Sequence, residues 1–322
     1  MDARQAIKES LAAERAGNFP EAARVLTEAL AEHETNALLW TRLGYVQREL
    51  RQSEAAISSF KRAIAAQPAL AHAHSGLGWA YVELGAWTEA AAAFEQSLAL
   101  TPVSYHFASL GHVRFHQHRV DEAEQLYRQA LERDPDYDEA MYMLAVILHL
   151  YRRQSAQAIT LLRRALAIDP NYALANRVLG EILSRQDQHI EAEQCLLRSL
   201  ALDDKDVWTY LELGSTVWAM GRELDAEDYY RQACQVAPDS ATASWTLASA
   251  YASRGEFDAA LALYHKAVDQ DAGDPVAAYR LARFLVKRGD PVAARRVLQR
   301  YREINPDGAD DPNVKRLLAE LA

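Results

Sequence analysis

Apolar and small residues recur along the chain in blocks of about 34 positions. Within a block, one stretch carries them at positions 4, 7, 8 and 11, and a second at positions 20, 24 and 27, with polar residues between. Both spacings put the apolar set on one helical face. Each block therefore predicts two amphipathic helices joined by a short turn. In the block from Ala37 the set is Trp40, Leu43, Gly44, Ala56, Phe60 and Ala63; the next gives Leu77, Gly78, Tyr81, Ala90, Phe94 and Ser97. The pattern continues as Phe107, Leu110, Gly111, Ala123, Tyr127, Ala130, and later as Tyr210, Leu213, Gly214, Ala226, Tyr230, Ala233. Prolines close the blocks: Pro68, Pro102, Pro135, Pro170, Pro238 and Pro306 stand 34, 33, 35, 68 and 68 residues apart. A fixed period of this length is an internal repeat.

These small and bulky residues, at these spacings, resemble the tetratricopeptide repeat (TPR) family, and the resemblance covers nearly the whole chain. It implies an all-α, right-handed α-solenoid of about nine helix-turn-helix units with a C-terminal capping helix. We place the array over residues 1–306, with units starting near 3, 37, 71, 104, 138, 173, 207, 241 and 275, and the capping helix over 307–322. The units near Ala3, Asp138, Ala173, Ala241 and Pro275 match more weakly.

The small residues have physical roles in such a unit. Gly44, Gly78, Gly111, Gly180 and Gly214 stand where the first helix must approach the second closely, and a larger side chain would force the pair apart. Gly17, Gly85, Gly221, Gly255 and Gly289 all fall at position 15, past the end of the first helix, where positive φ is needed. One extra residue in the fifth unit, around Tyr151 to Gln154, lengthens its first helix or turn. The polar face of the first unit, with Arg4, Lys8 and Glu14, suits a terminal cap. Val314, Leu317, Leu318 and Leu321 have the helical spacing needed to seal the last unit.

Composition then narrows the function. The 45 acidic and 35 basic residues give a net charge of −10, which disfavours nucleic acid as a partner. Cys195 and Cys234 form neither a disulfide framework nor a CxxC motif. The opening MDARQAIKESLAAERAG has no apolar core or cleavage site, and no run of eighteen apolar residues occurs, so we expect a cytoplasmic protein without membrane insertion. No phosphate loop, nucleophile elbow or carboxylate pair stands apart from the repeat, so neither enzyme activity nor a cofactor is expected.

In TPR proteins positions 2, 5, 9, 12 and 13 line the concave groove. The resemblance therefore places Trp79, Tyr105, His112, Phe115, His116, Tyr142, His149, Arg177, Glu181, Trp208, Ser215, Trp218, Trp245 and Ser249 there. Large rings would supply affinity, and histidines, Ser215, Ser249, Arg177 and Glu181 would set register through hydrogen bonds. From the third unit to the eighth, Glu83, Glu139 and Glu181 face Arg177 and Arg185, so this lining is nearly neutral. The expected partner is an extended peptide or a partner helix with apolar anchors. Two ligand modes of the family are absent. Position 5 (Thr41, Ser75, Ala108, Tyr142, Arg177, Leu211, Trp245) lacks the lysine and asparagine of a carboxylate clamp, and position 6 has no asparagine ladder.

The segment SYHFASLGHVRFHQHR holds four of the ten histidines. HVRFH lacks the glutamate of HExxH, because Val113 occupies that place. His118 takes the position-15 slot and reads as a helix end, and His106 as a residue packed between repeats. His112 and His116, with His149 as a neighbour, read as a pH-sensitive groove lining rather than a metal site. The function that emerges is a non-catalytic scaffold or adaptor. A peptide or small-ligand sensor whose superhelix changes pitch, and a self-assembling structural component, are the alternatives.

Overall fold

The computed structural model describes residues 2–306 and 311–321; residues 307–310 and 322 of the expected capping segment, and residue 1, lie outside the described residues. Among the described residues there are nineteen α-helices and no strand. Two compact units divide the chain, Met1–Asp169 and Pro170–Ala322. The first holds five pairs: α1 (Ala3–Arg15) with α2 (Phe19–Glu32), α3 (Ala37–Glu49) with α4 (Ser53–Ala66), α5 (Ala71–Glu83) with α6 (Trp87–Leu100), α7 (Ser104–His116) with α8 (Val120–Arg133), and α9 (Asp138–Leu150) with α10 (Ser155–Ile168). The second holds α11 (Ala173–Ser184) with α12 (His189–Leu202), α13 (Val207–Ala219) with α14 (Glu223–Val236), α15 (Ala241–Ser253) with α16 (Phe257–Gln270), and α17 (Pro275–Lys287) with α18 (Pro291–Ile304), followed by α19 (Pro312–Glu320). Each unit is an α-solenoid segment of stacked helix pairs.

Within a pair, a fully buried alanine on the second helix lets the backbones close: Ala22, Ala56, Ala90, Ala123 and Ala158 in the first unit, Ala192, Ala226, Ala260 and Ala294 in the second. Bulk enters four residues later. The fully buried ring of Phe60 fills the space left by two glycines, Gly44 of its own pair and Gly76 of the next. A Cβ on Gly44 would stand 2.8 Å from the ring and one on Gly76 2.3 Å from it, so both helices need glycine there. Where serine replaces alanine at the last core position, its hydroxyl has a partner. Ser97 donates to the carbonyl of Ala71 at 2.9 Å and Ser199 to that of Ala173 at 3.0 Å, which avoids the ~1–3 kcal/mol cost of an unpaired buried group.

The turns inside the pairs share one conformation. Gly17, Gly85, Gly221, Gly255 and Gly289 have φ between 69° and 85°, and His118, as its register predicts, has φ 60°. Three non-glycine residues do the same without a sequence signal: Arg51, Arg153 and Asp187, at φ 59°, 56° and 60°. The extra residue of the fifth pair lies in its turn, which runs from Tyr151 to Gln154 while both helices keep the common length. At the far end, Val314 and Leu317 of α19 are buried against the last pair, with Leu318 and Leu321 packed at the edge of the same cluster. No helix among the described residues is long and apolar enough to cross a membrane.

Candidate functional site

In the first unit the first helices bring several of the candidate residues into one run of rings. The indole Nε1 of Trp79, on α5, donates to the hydroxyl of Tyr105, on α7, at 2.6 Å. The Trp79 ring lies 5.5 Å from the imidazole of His112, which lies 4.6 Å from that of His116 one turn further along. His116 stacks on Trp87 at 4.5 Å with planes 5° apart. The run is thus Tyr105, Trp79, His112, His116, Trp87. Beneath it Trp79 packs edge-on against the buried Phe94 at 5.4 Å, which ties the surface rings to the core. Phe115 joins the run edge-on to His116 at 5.9 Å and meets Tyr151 edge-on at 6.0 Å. Trp87 is not among the sequence candidates: it begins a second helix, and its stacking on His116 reaches forward to the end of the following pair's first helix. Tyr142 and His149 stand on α9, where the Nδ1 of His149 pairs with Ser155 Oγ at 3.0 Å.

Burial, and then the charge of His116, pushes the His112 imidazole down to about 4. His116 is also lowered, by burial first and by His118 second. Both imidazoles are therefore biased toward their neutral forms. Among the described residues no three His, Cys, Asp or Glu side chains form a group able to hold a metal ion.

In the second unit the candidates separate by environment. Trp208 is 52% exposed, whereas Trp218 packs on the cluster around Tyr230 and Leu247. Trp245 packs against the last core cluster and carries the guanidinium of Arg280 over its ring at 3.8 Å. Arg177 and Glu181, expected to set ligand register, are held within the fold: Arg177 Nε lies 3.2 Å from Asp206, and Glu181 pairs with Arg185 at 2.8 Å. Burial first, and then Glu181, raises the carboxyl of the neighbouring Glu212. The hydroxyls of Ser215 and Ser249 meet the tyrosines of their own pairs, Tyr230 at 3.3 Å and Tyr264 at 2.9 Å. Ser249 also donates to the carbonyl of Trp245.

Family models described as tetratricopeptide repeat match residues 7–69, 41–105, 114–153, 139–172, 171–239, 211–275 and 252–321. The chain belongs to the tetratricopeptide repeat family. Among curated relatives of this TPR protein, anaphase-promoting complex subunit 3 of Schizosaccharomyces pombe is 24% identical over 196 residues, 61% of this chain and 29% of that protein. The protein O-mannosyl-transferase TMTC3 of Homo sapiens is 24% identical over 283 residues, 69% of this chain and 30% of that protein. The chain thus spans less than a third of the length of these two relatives. Among solved structures, that of the APC/C hetero-tetramer Cut9-Hcn1 aligns with a TM-score of 0.63 at 16% identity, over 94% of this chain and 59% of that one. PilW, a type IV pilus biogenesis factor, aligns with a TM-score of 0.60 at 22% identity, over 67% of this chain and 98% of that one. At these identities the structures establish the TPR fold. A repeat scaffold of this kind is suited to protein–protein interaction.

Proposed function

We propose that the chain is a non-catalytic, cytoplasmic adaptor that holds an extended peptide or a partner helix on the first-helix faces of its units. The observation that carries this reading is the ring run of the first unit, where Tyr105 is 42% exposed while hydrogen-bonded to a half-buried, core-anchored Trp79. A ring that is exposed and already fixed loses little entropy when a ligand lies on it, which is what binding anchors require. Trp208 offers a second exposed ring in the second unit. The transferase and anaphase-promoting complex names belong to much longer relatives, and no residue of this chain is assigned chemistry by them. Trp218, Arg177 and Glu181 act in this reading as supports, since their side chains are occupied within the fold.

The test is to pan a displayed random-peptide library on the wild-type chain and on a Tyr105→Ala/Trp208→Ala variant of unchanged helicity. Peptides retained by the wild type should lose about tenfold in retention on the variant, in line with truncation of ring anchors. Equal retention by both proteins, or none by either, overturns the reading.

A further inference from the structure

The last helix pair differs in charge from the lining that precedes it. A cleft of about 710 Å³ opens between α15, α17 and the start of α19, with Phe257 and Tyr264 of α16 at its floor. Four cations line it: Arg280, Arg283, Lys287 and Arg288. Among the described residues its one acidic lining residue, Asp311, is already engaged, because its carboxylate accepts from the backbone N–H groups of Asn313 and Val314 as the cap of α19. Asn313 and the hydroxyls of Ser249, Ser253 and Tyr279 complete the polar lining.

None of the four cations forms an ion pair among the described residues. In a chain of net charge −10 this is unusual company. Other arginines near first-helix faces have carboxylate partners: Arg42 with Glu14, Arg48 with Glu83, Arg177 with Asp206, Arg254 with Glu227. Three of the four cleft cations rest on rings instead. Arg280 lies over Trp245 at 3.8 Å and Arg288 over Phe257 at 4.3 Å, while Arg283 donates to the Tyr279 hydroxyl at 3.3 Å. Ring contacts hold a guanidinium in place without neutralising it. The Nε of Arg280 is buried and makes no hydrogen bond. Its burial lowers the guanidinium below its ordinary value, and the nearby Tyr264 and Asp274 offset that desolvation only in part.

We infer that this cleft takes the carboxylate side chains of an acidic peptide segment of a protein partner, with Arg280 and Arg283 receiving them and Lys287 and Arg288 adding charge at the rim. This rests on the adaptor reading above and gives the second unit's ligand its chemistry. Fixed guanidinium planes match carboxylates in forked pairs, and the rings beneath accommodate apolar residues between the acids. A nucleic acid would also meet the cations, but the field of a chain carrying −10 opposes a long polyanion, whereas a short acidic segment needs only the local excess of charge.

The same peptide library, panned on the full chain, supplies the test. Retained peptides should be enriched in Asp and Glu. They should lose at least about tenfold in affinity on an Arg283→Glu/Lys287→Glu variant, whose exposed positions leave the fold intact, and weaken as salt rises. An Arg280→Gln variant should show a comparable loss, and its circular dichroism separates that loss from unfolding. A neutral or basic consensus, or acidic peptides bound equally by the charge-reversed variant, overturns the cleft assignment and leaves the adaptor reading standing. If no peptide is retained at all, both fall. A single-stranded oligouridylate that displaces the peptides and binds more tightly than they do also overturns the assignment.

Discussion

The ring run around Trp79 is built on the first helices α5 and α7 of the first unit and the cleft around Arg280 on the first helices α15 and α17 of the second, yet one is a run of rings and the other is cationic. In the first unit the exposed groups are tied to each other: tyrosine to tryptophan, imidazole to imidazole, imidazole to indole. In the second the rings serve as beds for guanidinium groups whose charge remains open. The helix pair supplies the same backbone geometry to both, and the chemistry is decided by a few side chains on the outward turn of the helix. The difference teaches that recognition in this repeat protein is local to a unit and cannot be averaged along the chain.

The sharpest way to separate the two kinds of ring is to remove one of each. Trp79→Ala should cost about 3 kcal/mol in denaturant unfolding, because the ring packs on Phe94 and bonds to Tyr105. Trp208→Ala, on a ring 52% exposed, should cost under about 1 kcal/mol while affecting ligand retention. Similar costs for both would erase the distinction between a core-anchored and a free ring.

Acid should act on the first unit through His112. Its value in the fold, about 4, lies below that of the unfolded chain, so the unfolded state takes up the proton first. The stability tied to the neutral imidazole is full above about pH 6.5 and is lost as the pH falls toward 4. It should amount to roughly 3 kcal/mol. Thermal melting of His112→Gln should therefore fall less steeply than wild type between those limits. Parallel curves would mean that His112 is not held neutral by its surroundings.

The smallest expected effect lies in the turns, and it also divides the units. Of the non-glycine left-handed turn residues, Arg51, His118 and Arg153 belong to the first unit and Asp187 to the second. Arg153→Gly should raise stability by about 0.5–1 kcal/mol, since glycine adopts positive φ without steric cost. Gly255→Ala, at φ 85°, should lower it by at least as much. Opposite signs in the two melts support the steric account, and equal signs sink it.

These contrasts were unequally legible in the sequence. The helix pairs were, because a buried alanine followed by a ring at fixed spacing leaves few other packings, and the glycine facing Phe60 confirms that logic. His118 was legible from register alone, while Arg51, Arg153 and Asp187 were not, since arginine and aspartate give no local sign that the turn needs positive φ. At the candidate site, register put both Trp208 and Trp218 among the groove candidates. It could not tell that one stays exposed while the other packs, because that depends on the bulk of neighbours on adjacent helices. Arg177 and Glu181 looked free only because their ion-pair partners lie at a helix start and one turn away. The basic cleft escaped a charge count that stopped at the eighth unit.

The ring of Phe60, held by Gly44 on one side and Gly76 on the other, bears on how such an array can be rebuilt. The position that receives it is Gly76 in one unit but Arg42, Ser109, Met143, Val178, Glu212 or Thr246 in others. Units are therefore not interchangeable bricks. A duplication or swap that set another unit after the one bearing Phe60 would drive a side chain into that ring, so the order of the repeats is itself written into the packing.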